Sequence, residues 1–163
     1  MSNTIIDDLL RQVADWLGKT DGALALDGDN QVLVEVGEDG QAVALDYHED
    51  EGRLVLSCII TSPPEGGEAA LWEAMLRANF LWQDTYGATL CLSPSGELPV
   101  LQHRVDLDIL GGSELIGLIE GMANLALQLS DELTEAAAEI AADDTSAMDM
   151  PVPSAGDQYL IRG

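Results

Sequence analysis

The hardest constraint on this chain sits in its middle. Residues 68–82, Glu-Ala-Ala-Leu-Trp-Glu-Ala-Met-Leu-Arg-Ala-Asn-Phe-Leu-Trp, follow the break Ser62-Pro63-Pro64-Glu65-Gly66-Gly67 and read as one helix. Leu71, Trp72, Met75, Leu76, Ala78, Phe80, Leu81 and Trp82 cover nearly its whole circumference, interrupted by Glu68, Glu73, Arg77 and Asn79. A helix apolar all round must be buried on more than one side. A chain of 163 residues makes one domain, in which a single sheet covers one side of such a helix. A second copy across a two-fold axis is the simplest cover for the other, so a homodimer through the middle helix is expected.

The elements around this helix follow from periodicity. Residues 4–17 form an amphipathic helix, with Thr4 as cap, Gly18 as stop, and Ile5, Ile6, Leu9, Leu10, Val13, Trp16 and Leu17 in one broad stripe. Ala23–Leu26, Gln31–Val36, Gln41–His48 and Arg53–Thr61 are short runs rich in Val, Leu and Ile, separated by Gly/Asp/Asn turns, and read as hairpin strands. Ala88–Leu92 and Leu98–Leu107 add two strands around Ser93-Pro94-Ser95-Gly96. A long helix spans roughly 113–140, capped by Ser113, with Leu115, Ile116, Ile119, Met122, Ala123, Ala126, Leu129 and Leu133 as its stripe. The expected order is α-β-β-β-β-α-β-β-α, an α+β fold with three helices on an antiparallel sheet. Residues 1–142 form the domain. Residues 143–163, acidic and Pro-containing, are expected as a flexible tail.

Charge narrows the function. Six Lys and Arg stand against 30 Asp and Glu, a net charge of −24. Such a surface repels phosphates, so neither nucleic acid nor an anionic membrane is an expected partner. A basic or amphipathic segment suits it better. The N-terminus lacks a basic region and an apolar stretch, so it does not read as a secretory signal. No segment approaches the roughly 20 apolar residues that span a bilayer. Cys58 and Cys91, each inside a strand-like run, read as free thiols of a reducing cytoplasm.

A search for chemistry finds no site. His48 and His103 are the only histidines, and neither has metal-ligand spacing. Asp27-Gly28-Asp29 begins like a calcium loop and Glu38 stands twelfth, but Val32 occupies the sixth position, where that loop needs glycine. Gly-x-Ser-x-Gly, Gly-x-Gly-x-x-Gly and phosphate-cradling loops are missing. The expectation is a non-enzyme with no catalytic residue, cofactor or metal.

One resemblance stands out. Leu76-Arg77-Ala78-Asn79-Phe80-Leu81, followed by Tyr86-Gly87-Ala88-Thr89-Leu90-Cys91-Leu92-Ser93-Pro94-Ser95-Gly96-Glu97-Leu98, resembles the class I type III secretion chaperones, the Tir chaperone family. There a helix ending in "L…NF" runs into "G..L.ld..G.l.L", then a strand and a long helix, matched here by Leu107 to Ala126. The likeness covers about residues 3–140. It implies a cytoplasmic bacterial homodimer that binds the N-terminal segment of a secreted effector in extended form and keeps it export-competent. It implies a dimer interface at Leu71, Trp72, Met75, Leu76, Asn79, Phe80 and the strand Ala88–Leu92, including Leu90. It implies an effector groove built by the first helix and neighbouring strands, at Ile6, Leu10, Val13, Leu17, Val32, Val34 and Leu54. An acidic homodimeric adaptor or regulator of secretion with the same fold is the alternative.

Overall fold

The computed structural model describes residues 2–20, 23–37, 40–63 and 65–148. Five strands, β1 (Gln31–Val36), β2 (Gln41–His48), β3 (Arg53–Ile59), β4 (Thr89–Leu92) and β5 (Pro99–Asp106), form one antiparallel sheet in the order β1-β2-β3-β5-β4. Three helices, α1 (Ser2–Trp16), α2 (Glu68–Ala78) and α3 (Gly112–Met148), complete the α+β fold.

Alternation divides the sheet into two faces. Val34, Val43, Leu45, Leu54, Leu56 and Leu101 are fully buried, and join Ile6, Leu10 and Val13 of α1 with Leu115, Ile119 and Leu129 of α3 in one core. The opposite face carries Leu33, Ala44, Ser57, Gln102 and Thr89 in one cross-strand row. No described element covers that face, and Leu33 and Ile59 stay exposed on it.

Local chemistry explains most boundaries. Gly18, at φ +66°, ends α1 as a Schellman cap: Lys19 N–H donates to Ala14 C=O and Gly18 N–H to Asp15 C=O. The Asp27 carboxylate accepts the N–H groups of Asp29 and Gln31, each at 2.9 Å, which makes 27–30 a turn.

Four expectations about elements are corrected. Ala23–Leu26 forms no ladder, so three strands rather than four separate α1 from α2; Leu24 drops into the core instead. α1 begins at Ser2, which places Thr4 inside the helix rather than at its cap. α2 stops at Ala78, because Asn79 turns its side chain to β4 and Leu81 and Trp82 take left-handed backbone (φ +58° and +52°). α3 runs to Met148, since Asp and Thr only weakly oppose a helix. The remainder of the expected tail, 149–163, lies outside the described residues.

Candidate functional site

The two sheet margins are treated in opposite ways. In an antiparallel pair, alternate residues turn both backbone groups away from the neighbouring strand. On β1, Tyr47 N–H donates to Asn30 C=O, so Asn30 faces inward and Gln31, Leu33 and Glu35 face outward. Gln31 is closed off by Asp27, whose N–H donates to Gln31 C=O at 2.8 Å and whose carboxylate takes the Gln31 N–H. Leu33 and Glu35 have no hydrogen-bond partner for their outward groups among the described residues. On β4 the outward groups are occupied. Thr85 closes the strand entrance at Ala88, whose N–H donates to Thr85 C=O while the Thr85 hydroxyl donates to Ala88 C=O at 2.6 Å. The Asn79 carboxamide takes both outward groups of Leu90. Only Leu92 is left at the far end.

The β1 margin is also apolar on both sides. Val32 and Val36 lie half-buried on the helix face, where the helical layer fully covers only Val34 between them. Leu33 projects from the other face at 57% exposure. Leu17 and Leu26 are half-buried against the same core. A strand added at Leu33 and Glu35 gains backbone pairing and covers apolar surface above and below.

A second apolar surface surrounds the end of α2. Leu71, Ala74 and Met75 turn inward, whereas Leu76 and Phe80 are 72% and 73% exposed. Leu81, Trp82 and Tyr86 follow, all largely exposed and all at positive φ. Bulky residues rarely accept that backbone, and such strain marks segments held by their surroundings. Burying one such side chain releases roughly 1.5–3 kcal/mol, so the cluster has a strong drive to be covered.

The residues named from sequence divide accordingly. Of the residues expected to line an effector groove, Ile6, Leu10, Val13, Val34 and Leu54 lie at 0–1% exposure inside the protomer core, where they line no open surface. Leu17 and Val32 are half-buried. Of the interface set, Leu71, Met75 and Leu90 are buried within the protomer, Trp72 and Asn79 are half-buried, and Leu76 and Phe80 are open. Sequence reasoning missed Leu33, Ile59 and Tyr86. The uninterrupted Val32-Leu33-Val34 was the available signal, because consecutive apolar residues in a strand serve both faces.

Polar chemistry is sparse. Among the described residues no group of three or more His, Cys, Asp or Glu comes together as a metal site. His48 lies 3.8 Å from Asp46 on the exposed side of β2. Burial raises the Cys58 thiol to about 11 and pushes Cys91 upward less. No helix among the described residues is long and apolar enough to cross a membrane.

A family model for the Tir chaperone protein (CesT) family matches residues 8–130. The chain belongs to the Tir chaperone protein (CesT) family. The match runs from the middle of α1 to the middle of α3, taking in both margins and the exposed segment after α2. Solved structures share the family fold. A chain of the ExsC–ExsE complex aligns with TM-score 0.67 at 15% identity, covering 80% of this chain and 95% of that one. A chain of the HopA1–SchA chaperone–effector complex aligns at 0.56 and 20%, covering 77% and 96%. A chain of the ExoT–SpcS complex from Pseudomonas aeruginosa aligns at 0.55 and 17%, covering 76% and 96%. No curated protein matches the chain in sequence.

Proposed function

We propose that this family member is a cytoplasmic, non-enzymatic chaperone that binds the N-terminal segment of a type III secreted effector and keeps it soluble and export-competent. The family match over 8–130 carries this reading, and a chaperone–effector complex among the similar structures supports it. The geometry supplies a mechanism without a cofactor. The client adds a strand at the open outward groups of Leu33 and Glu35, and its side chains alternate onto the Val32/Val36 side and the Leu33 side. Ordering an unfolded segment costs several kcal/mol, which both faces must repay in apolar contact. The net charge of −24 favours a basic client and speeds encounter.

The homodimer belongs to the same proposal. Leu76 and Phe80, open on the protomer, meet their copies across a two-fold axis, with Trp72 beside them. Capture on the tagged chain from its native bacterium, followed by mass spectrometry, tests the function. Recovery of one or two exported proteins through their N-terminal segments is expected. Recovery of a transcription-related partner instead would replace the proposal with the regulator reading.

A further inference from the structure

α2 and α3 leave a groove between them. Its floor is apolar: Ala74 and Ala78 of α2, and Leu129, Leu133, Ala136 and Ile140 of α3. Alanine stands at three of these six positions, and such small side chains leave an open space of about 310 Å³ that larger ones would fill. Ala78, Ala136 and Ile140 are half-buried and reach the surface. The rim is acidic. Glu132, Glu139 and Asp143, spaced seven and four apart, stand on one face of α3, and Asp84 joins them from the segment after α2. Arg77 is the one cation lining the groove, and its guanidinium donates to Glu73. Glu132 accepts a hydrogen bond from the neutral Gln128 carboxamide at 2.7 Å. Among the described residues none of the four rim carboxylates has Lys, Arg or His within ion-pairing distance.

We propose that this groove docks a basic amphipathic helix of a second protein, its apolar stripe on the alanine-lined floor and its Lys or Arg side chains on the carboxylate rim. The chemistry selects such a partner. A cleft walled by one sign of charge focuses the field inside it, so a cation is drawn there beyond the pull of the net charge alone. Glu139 and Asp143, four residues apart on a helix, repel each other, and a cation seated between them removes that repulsion. The uncharged floor accepts the apolar side chains that recur every three or four positions on one helical face. The dimensions agree. Glu132 to Asp143 spans roughly 17 Å at about 1.5 Å per residue, about three turns of a docked helix. A second copy of this chain brings 30 acidic residues against six basic ones, the wrong sign for the rim. The groove is also separate from the β1 margin, because α2 is tied to β4 through Asn79, and β1 and β4 are opposite borders of the sheet. A client strand and this helix can therefore be held at once.

The inference does not rest on effector binding, and a synthetic probe tests it. A fluorescein-labelled peptide of leucine and lysine, about 14 residues long with leucine on one helical stripe, is titrated with the full chain at physiological salt and followed by anisotropy. Saturable binding is expected, and a peptide of the same composition with its leucines scattered should bind about ten-fold more weakly or worse. Glu132→Gln, Glu139→Gln and Asp143→Asn together should weaken binding about ten-fold. Asp50→Asn, Glu120→Gln and Asp131→Asn remove the same charge from exposed positions off the groove, and should change it less than about two-fold. Ala136→Gln, which lays a longer side chain across the floor, should weaken binding as the rim variant does. Equal losses in the two charge variants, equal binding by the scattered peptide, or light scattering that shows the peptide parting two copies of the chain would each overturn the inference.

Discussion

Asn79 pairs with Leu90 as a strand would: its Nδ2 donates to the Leu90 C=O and its Oδ1 accepts the Leu90 N–H, each at 2.9 Å. One side chain, eleven residues upstream, thereby ends α2 and closes the outer margin of β4. Asn79→Ala leaves two part-buried backbone groups without partners and should lower the unfolding free energy by about 1–3 kcal/mol, read from urea denaturation. Asn79→Asp should resemble it at neutral pH, because a carboxylate cannot donate to the Leu90 C=O.

Glu35→Pro removes an outward N–H and leaves the β1–β2 ladder its bonds. Affinity for an N-terminal client segment should fall several-fold, about 1 kcal/mol for one hydrogen bond, by calorimetry. Glu35→Gln, which keeps the N–H, should bind as the parent does. No loss with Glu35→Pro would place the client elsewhere.

Phe80→Asp and Leu76→Asp put charge on side chains that the protomer itself leaves open. The far-ultraviolet dichroism of each should match the parent. Light scattering should show the proposed dimer of the parent reduced to a monomer, and a persisting dimer would move the interface off this face.

Leu10→Ala separates core from groove. Leu10 is 1% exposed, so its truncation should cost about 2–5 kcal/mol of stability through the cavity it leaves. The resemblance implies Leu10 as a groove residue, and the periodicity of α1 reports which face is apolar, not what covers it. The same periodicity made the helix itself legible, as the Val-rich runs and Gly/Asp turns did the hairpins. The end of α2 was not legible, because the bond that stops it lies between Asn79 and a strand not yet formed. α3 outruns the expected end near 140 because no proline interrupts it before Pro151, and the polar residues from 143 onward oppose a helix only weakly. The open β1 margin needed the register, which fixes whether an odd or an even residue turns outward.

Cys58 gives a pH signature. Its thiol is raised from 9.0 to about 11 by burial, so between those values the unfolded chain loses a proton that the folded chain keeps. Stability should therefore be unaffected by this group below pH 9 and decline as pH rises toward 11, by an amount on the order of 2 kcal/mol. Cys58→Ala should flatten that decline in denaturation curves, and Cys58 should resist alkylation until the chain unfolds.

With Thr85 and Asn79 stoppering one margin, the ladder can lengthen in a single direction. Endless side-by-side stacking of subunits requires a vacant left border on one molecule to meet a vacant right border on the next. Among the described residues a run of vacant positions stands at β1, against a single one at Leu92 on the opposite border, so self-stacking through both borders has almost no purchase.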